Sequence, residues 1–209
     1  MKSFIFMSVL FAVLTKTFGG NILYLNGIPS PSHHHYNRVF ILGLAAKGHN
    51  VTFLSVDNVK KTTPNVHYIH LEKTYEIYYG GSESFDILAF ATQPPTLSVV
   101  EASNIYTHAC KAALASNGID TLVNYPDDFK FDVVIHDFTF GPCLLPLMAR
   151  FKNPPLISIS AFANPPYTSD SIGGQKYPSY IPHYAVNYST EMNFFQRFFN
   201  TYLYLIDWL

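Results

Sequence analysis

The sequence predicts an α/β protein built on a doubly wound, mostly parallel sheet. Short apolar runs of strand length alternate along the chain with longer stretches of helical periodicity, in the order βαβ…αβαβ. The apolar runs, such as NILYL at 21–25 and FDVVI at 131–135, are nearly continuous, as is typical of parallel strands buried on both faces. We therefore expect helices on both faces of one sheet.

The individual elements follow from apolar runs, turn residues and helical spacing. Strands are expected at 21–25, 51–55, 66–71, 131–135 and 156–160. Helices are expected at 32–46, 85–91, 96–115, 141–151 and from about 189 onward. In the first helix, Ser32 is the expected N-cap, and the apolar face is expected to include Val39, Phe40, Leu42 and Ala45. Residues 164–190, rich in Pro, Tyr and Ser, are expected to form an extended surface loop.

Composition narrows the class of protein. The 209 residues are 48% hydrophobic and 13% charged, with a formal net charge of −1, so there is material for a core. No basic excess points to a nucleic-acid partner. The 18 Phe and 15 Tyr suit either core packing or a pocket for flat, apolar small molecules, and composition alone favours core packing.

The first residues have the pattern of a secretory signal peptide, assigned to 1–19. Lys2 supplies a positive charge, 4–14 is apolar, and 17–19 places small residues where a signal peptidase cuts. The apolar run is short for a membrane span. The mature domain is therefore expected at 20–209, in the secretory pathway and the lumen of the endoplasmic reticulum.

That compartment is oxidising, yet the chain has only two cysteines, Cys110 and Cys143. They could pair, but nothing in the sequence requires it, and two buried free thiols are the favoured state. Two glycosylation sequons occur. Asn187 lies in a polar, loop-like stretch and is the better acceptor, whereas Asn50 adjoins an apolar strand and is expected to be shielded.

The C-terminal stretch FFQRFFNTYLYLIDWL is strongly apolar but contains Arg197 and Asp207. An amphipathic helix packed on the domain is expected here rather than a membrane anchor. The apolar positions at helical spacing are Phe194, Phe198, Tyr202 and Leu205.

A candidate site follows from the fold class. In doubly wound sheets, ligands bind beyond the carboxyl ends of the strands, where the strand order reverses between the first and fourth strands. His33 follows the first strand and Asp137 ends the fourth. Alone, His33 suits a solvated helix N-terminus and Asp137 a strand-end cap. Together in one crevice they suit a general base held by a carboxylate.

A metal site is not expected. His33, His34 and His35 stand at a helix start, about 100° apart around the axis, and cannot converge on one ion. Their spacing also differs from that of zinc ligands. His49, in the turn before the second strand, is interpreted as structural. His136 suits either the core or a supporting position next to the site.

The chain resembles the UDP-glycosyltransferases, in particular the UDP-glucuronosyltransferase group and its insect-type members. In that family a Ser-His pair follows the first strand and a basic-Gly-His turn closes the first helix, with the two histidines sixteen positions apart; here these are SH at 32–33 and KGHNVT at 47–52. That count selects His33, and leaves His34 and His35 as neighbours. Further similar segments are FDVV at 131–134 leading to Asp137, GPC at 141–143, PPLI at 154–157, PSYIP at 178–182, MNF at 192–194 and QR at 196–197.

The resemblance implies the N-terminal, acceptor-binding half of a GT-B glycosyltransferase involved in detoxification. His33 would be the base that deprotonates a small lipophilic acceptor, Asp137 would orient it, and Ser32 would be a neighbour of the acceptor site. The hexosyl group, glucuronosyl or glucosyl, would transfer from a UDP-sugar with inversion. No metal or resident cofactor is implied. Residues 72–115 and 164–190 are the expected contributors to the acceptor pocket.

The family's UDP-sugar-binding C-terminal domain and membrane-spanning helix have no counterpart in the 209 residues, so this chain alone is not expected to transfer sugar. A membrane-anchored enzyme is expected if the chain is longer, and a soluble luminal or secreted protein if it is truncated. The alternative is a non-catalytic protein that binds lipophilic ligands or regulates full-length paralogues. Homo- or hetero-oligomers with family members are a further expectation.

Overall fold

The protein is described by a computed structural model that covers residues 19–59, 61–80, 86–162 and 165–208. The predicted signal peptide lies outside these residues except for Gly19. The described residues form one parallel sheet with the strand order β3-β2-β1-β4-β5, so the predicted fold class is confirmed, with a Rossmann-like topology. The strands are β1 Asn21–Asn26, β2 Asn50–Ser55, β3 Val66–His70, β4 Val133–Asp137 and β5 Leu156–Ile159.

Seven α-helices lie among the described residues. They are α1 Pro31–Ala46, α2 Thr74–Tyr79, α3 Ile87–Thr92, α4 Pro95–Leu114, α5 Asn117–Val123, α6 Pro166–Ile172 and α7 Phe194–Trp208. Two 3₁₀ segments follow β4, at Phe138–Phe140 and Leu145–Phe151. The helices predicted at 32–46 and 96–115 are confirmed to within one residue at each end. None of the described helices combines the length and the hydropathy needed to cross a membrane.

The helix predicted at 141–151 is wrong, because that stretch forms a loop and a 3₁₀ segment. Gly141 has a φ of 80°, outside the helical region, and Pro142 and Pro146 each lack the N–H that an α-helix would use. The surface loop predicted at 164–190 contains α6, and the last helix begins at Phe194 rather than near 189.

The start of α1 also differs from the prediction. The N-cap is Ser30, in extended conformation, and the helix begins at Pro31 rather than after Ser32. The fixed φ of proline suits the first helical position, where its missing N–H would have no helical partner. Ser32 is exposed, and its Oγ lies 3.0 Å from the Oγ of Ser30.

The strand register brings the carboxyl ends of the central strands to one edge of the sheet. β1 lies between β2 and β4, with Asn26 opposite Ser55 on one side and Leu25 opposite His136 on the other. The loop after β1 leads directly into α1, and β4 ends at Asp137. The first turn of α1 and the end of β4 therefore meet where the strand order reverses.

The core has two halves, one on each face of the sheet. Alternate residues of β1 point to opposite faces, so Leu23 and Leu25 pack on one side while Ile22 and Tyr24 pack on the other. The first half includes side chains from α4 and α5, and the second includes Ile41 of α1. Helices thus cover both faces, as the sequence predicted.

Cys110 and Cys143 form a disulfide, so the favoured expectation of two free thiols was wrong. Their Cα atoms are 5.7 Å apart, a separation that a disulfide spans without backbone movement. Cys110 lies on α4 and Cys143 follows β4. The parallel sheet places the segment after β4 beside α4, which sequence spacing alone does not reveal.

The apolar face predicted for α1 is only partly correct, since Ala45 is buried and Leu42 is half-buried. Val39 and Phe40 of α1 are exposed, and the helix packs through polar as well as apolar side chains. The buried residues of α1 are His33, His34, Asn37, Ile41 and Ala45.

In helix α7 the predicted face is wrong at every named position. Its buried residues are Asn200 and Leu203, and Asn200 donates to the backbone carbonyls of Pro178 and Ile181. The large apolar side chains predicted to pack on the domain are exposed; they are Phe194, Phe198, Tyr202 and Leu205.

Candidate active site

His33 and Asp137 meet at the carboxyl edge of the sheet, as the sequence predicted. His33 lies in the first turn of α1, and Asp137 is the last residue of β4. The Nδ1 atom of His33 is 2.9 Å from Oδ2 of Asp137. Both residues are buried, with exposed fractions of 5% and 2%. The pair is therefore held in a low-dielectric setting in which their interaction is strong.

Three further hydrogen bonds fix the Asp137 carboxylate. The backbone N–H and the hydroxyl of Thr139 donate to Oδ1, at 3.1 and 2.7 Å, and the side-chain amide of Asn37 donates to Oδ2 at 2.8 Å. Burial by itself raises the pKa of Asp137, but the hydrogen bonds from His33, Asn37 and Thr139 outweigh it and hold the pKa below its ordinary value. Asp137 is thus an anion at neutral pH.

The ionised carboxylate defines the tautomer of His33. Because an ionised carboxylate only accepts hydrogen bonds, Nδ1 of His33 must carry the hydrogen that points at Asp137. In the neutral ring, Nε2 then holds the lone pair. Nε2 makes no hydrogen bond to any residue that the structure describes. A histidine held in this way through Nδ1 can act as a general base through Nε2.

Aromatic rings lie beside the His33 imidazole. The ring centroid of Phe162 is 5.6 Å away and that of Phe140 is 6.3 Å away. Phe162 is 66% exposed, and Phe140 packs against Tyr106 of α4 at 5.4 Å. A flat apolar molecule lying against these rings would bring its polar group close to the imidazole.

A second histidine pair was missed by the sequence analysis. His34, buried next to His33, places Nδ1 3.2 Å from Oγ of Ser55 and 3.3 Å from Oδ2 of Asp57. Burial lowers the pKa of His34 below its ordinary value, although the charge of Asp57 opposes the shift. The strand order could have indicated this contact, because Ser55 and Asp57 lie at the carboxyl end of β2, next to the end of β1 from which the chain leads into α1. His35 is exposed.

His136 is buried on the opposite face of β4 from Asp137, since successive residues of a strand alternate. Its ring lies edge-on to Phe138 at 4.7 Å, and its Nδ1 has no hydrogen-bond partner among the described residues. Burial lowers the pKa of His136 to about 4, although the adjacent charge of Asp137 opposes the shift. It is a neutral core residue next to the site, one of the two roles the sequence left open.

Acid should weaken the fold through His136. Unfolded, the residue takes up a proton near its ordinary pKa of 6.5, whereas folded it does so only near 4, so falling pH within that window favours the unfolded chain. From pH 7 to pH 5, this group should lower the free energy of unfolding by roughly 2 kcal/mol. Urea unfolding of wild type and His136→Leu at both pH values measures the difference. A variant as acid-sensitive as wild type would contradict the assignment.

The predicted glycosylation sites are both exposed. Asn50 was expected to be shielded, which is wrong, because it is the first residue of β2 and its amide reaches the side chain of Asn21 at the sheet edge. Modification of Asn187 and Asn50 stays a prediction.

His49 has the structural role predicted for it, since its Nδ1 accepts a hydrogen bond from the backbone of Gly20 at 3.0 Å. Within the described ranges, no group of three His, Cys, Asp or Glu side chains is placed to hold a metal ion.

The chain matches a family model described as "UDP-glucoronosyl and UDP-glucosyl transferase" over residues 32–208. It is 30% identical over 198 residues to UDP-glucosyltransferase 2 of Dactylopius coccus, covering 92% of this chain and 36% of that protein. It is 24% identical over 213 residues to UDP-glycosyltransferase UGT5 of the same organism, covering 97% of this chain and 38% of that one. The chain thus spans little more than a third of the length of these curated relatives.

Among solved structures, the chain is similar to the crystal structure of CalG4, the calicheamicin glycosyltransferase. The TM-score is 0.48 at 17% sequence identity, and the match covers 78% of this chain and 39% of that one.

Proposed function

Because the chain belongs to the family of UDP-glucuronosyl and UDP-glucosyl transferases, we propose that it is the acceptor-binding half of a UDP-glycosyltransferase. The reaction moves a hexosyl group, glucosyl or glucuronosyl, from a UDP-sugar to a small lipophilic acceptor. The observation that carries the proposal is the buried contact between His33 and Asp137 at the carboxyl edge of the sheet.

The pair suits base catalysis. Nε2 of His33 takes the proton of an acceptor hydroxyl, and the freed oxygen attacks the anomeric carbon of the sugar. The carbon–oxygen bond to the diphosphate breaks on the opposite side, and UDP leaves with the bonding electrons. Attack from the face opposite the leaving group inverts the anomeric centre. His33 then releases its proton to solvent.

Asp137 contributes through its charge and its position. Deprotonating the acceptor makes His33 an imidazolium, and the adjacent carboxylate stabilises that positive charge. Because Thr139 and Asn37 also hold the carboxylate, it needs little reorganisation when the charge appears. The proposed role of Asp137 is therefore to orient and stabilise the base, without accepting the proton itself.

The rings beside His33 support a flat, lipophilic acceptor. Phe162, Phe140 and Tyr106 form an aromatic wall next to the imidazole. Such a wall binds a phenol through its ring and leaves the hydroxyl free to reach Nε2. Ser32, exposed in the same turn of α1, is a polar neighbour at the edge of this site.

The proposed binding site for the sugar donor, the UDP-sugar, lies outside these 209 residues. Since the relatives are nearly three times as long as the aligned region, we propose that a further domain holds the UDP-sugar and that these 209 residues alone do not transfer sugar. The proposed location is the lumen of the endoplasmic reticulum, with membrane attachment in a longer form. Association with other family members remains part of this proposal.

A hybrid enzyme tests the function. It joins residues 20–209 to the part of Dactylopius coccus UDP-glucosyltransferase 2 that lies outside the alignment. With UDP-glucose and 1-naphthol, we expect it to form the naphthyl glucoside, and proton NMR of the product should show the β-anomer from the α-linked donor. A retained α-anomer would contradict direct displacement.

Binding without transfer would favour the alternative function. Saturable binding of 1-naphthol to the 209-residue chain, together with a hybrid that folds but makes no glucoside, would contradict the transferase proposal. It would indicate a protein that captures lipophilic ligands. Calorimetric titration of the chain with 1-naphthol supplies the binding measurement, and circular dichroism of the hybrid shows whether it has folded.

A further inference from the structure

We propose that Asn37 and Tyr24 are positioning residues that lock the Asp137 carboxylate and, through it, the tautomer of His33. The inference rests on the proposed function only in taking His33 as the base. Its structural content is a buried chain of hydrogen bonds, from Tyr24 through Asn37 and Asp137 to His33.

Asn37 and His33 act from the same face of α1. They are four residues apart, so their side chains lie one above the other on the helix. Both reach the same atom, Oδ2 of Asp137, from Nδ2 at 2.8 Å and from Nδ1 at 2.9 Å. Rotation of the carboxylate about its Cβ–Cγ bond would therefore break both contacts at once. Asn37 ties Asp137 to the helix that carries the base.

Thr139 does not perform that function. It holds Oδ1 through its N–H and its hydroxyl, but it lies two residues after Asp137 in the same segment. It therefore fixes the carboxylate relative to its own backbone. Asn37 is the contact that fixes Asp137 relative to α1.

Tyr24 determines which way the Asn37 amide points. Its hydroxyl lies 2.7 Å from Oδ1 of Asn37. An ionised carboxylate only accepts, so the NH₂ group of Asn37 must face Asp137, its oxygen must face Tyr24, and the phenol must donate. A flipped amide would place an oxygen against the carboxylate.

Tyr24 is itself held firmly. It is fully buried in the middle of β1, and its ring packs edge-on against Phe53 at 5.5 Å. Burial, and then the charge of Asp137, raises the pKa of Tyr24 far above its ordinary value, so the hydroxyl keeps its proton. Tyr24 is therefore always a hydrogen-bond donor, and it begins the series of hydrogen bonds that leads through Asn37 and Asp137 to His33.

Nitrogen-15 NMR of the histidine side chains tests the proposal on the full 209-residue chain. The shifts of Nδ1 and Nε2 report which nitrogen carries the hydrogen, and His33→Gln assigns the signals. Wild type should show the Nδ1–H tautomer as the main form. In Asn37→Leu and in Tyr24→Phe, the carboxylate is held less firmly, so the fraction of the Nδ1–H form should fall below that of wild type, and further in Asn37→Leu.

Tyr68→Phe is the matched control. Tyr68 also packs against Phe53, at 5.6 Å, and its buried hydroxyl has no hydrogen-bond partner among the described residues. Removing that hydroxyl should leave the His33 tautomer unchanged. If Asn37→Leu fails to fold, Tyr24→Phe decides, since it removes a single oxygen.

A folded Tyr24→Phe or Asn37→Leu with the same fraction of the Nδ1–H tautomer as wild type would overturn the proposal. So would a wild type whose main form is the Nε2–H tautomer. Turnover of the hybrid enzyme separates this inference from the proposed function. A changed tautomer with a kcat loss of roughly 10- to 100-fold and a steady KM supports both. A changed tautomer with undiminished turnover supports the positioning role of Asn37 and Tyr24 and contradicts the assignment of His33 as the base.

Discussion

Replacing His33 with glutamine should lower kcat of the hybrid enzyme by on the order of 10²- to 10⁴-fold, the range that a general base contributes. Glutamine keeps a polar side chain of similar size but cannot accept a proton at neutral pH. The KM for 1-naphthol should stay within a few-fold of wild type, because in the proposed acceptor site its rings lie against Phe140 and Phe162, which the substitution leaves in place. Initial rates over a range of acceptor concentrations separate the two constants.

His35→Gln is the control for this change. His35 is two residues further along α1 and exposed, so the same substitution there should leave kcat unchanged. Equal losses in both variants would indicate damage to the helix start and would contradict a specific role for His33.

Asp137→Asn extends the same experiment. The amide removes the charge that stabilises the imidazolium and can present a donor to Nδ1, which favours the wrong tautomer. In the proposed mechanism His33 and Asp137 act as one unit, so the double variant should be no slower than the slower single variant. Losses that multiply in the double variant would show that the two residues act independently.

Removing the disulfide should have the largest effect on stability. Cys110 and Cys143 are 33 residues apart, and closing a loop of that length reduces the entropy of the unfolded chain. The double variant Cys110→Ala/Cys143→Ala should lose about 4 kcal/mol of unfolding free energy. Guanidinium unfolding without reductant measures the loss.

Reduction provides the matched comparison. Dithiothreitol should destabilise the wild type by nearly the same amount and leave the double variant unchanged. A wild type indifferent to reductant would contradict the disulfide in solution. A double variant that remains sensitive to reductant would point to a cause other than this bond.

The sheet and the meeting of His33 with Asp137 could be predicted from the sequence because both depend on strand order. Apolar runs located the five strands to within two residues at each end, and the rule for doubly wound sheets brought His33 to Asp137. No information about side-chain geometry was needed. Because the strands are parallel and β1 lies beside β4, the strand order alone brings together two residues separated by about a hundred positions.

The residues that support the pair could not be predicted in the same way. Asn37 and Thr139 can be recognised from the sequence only once Asp137 is known to face α1. Asn37 is then indicated by its four-residue spacing from His33, and Thr139 by its position two residues after Asp137. Tyr24 resembles any other aromatic residue of a core strand. Buried polar side chains that form a hydrogen-bond network do not recur at a regular spacing, so no sequence pattern reveals them.

The face of α7, and part of the face of α1, were predicted wrongly for a related reason. Hydrophobic spacing assumes that a helix buries its apolar side chains, but α1 buries the polar residues of the site, and α7 packs through Asn200. The disulfide was missed because spacing along the chain does not show that α4 lies beside the segment after β4.

The central position of β1 has a consequence during synthesis. β1 pairs with β2 as soon as residue 55 is available, but its other edge waits for β4, which begins at residue 133. At typical translation rates the intervening residues take roughly 4 to 16 s to appear. Throughout that time a nascent chain offers an open, apolar strand edge, the kind of surface that chaperones cover. Any N-terminal piece that stops before β4 would keep that edge open permanently.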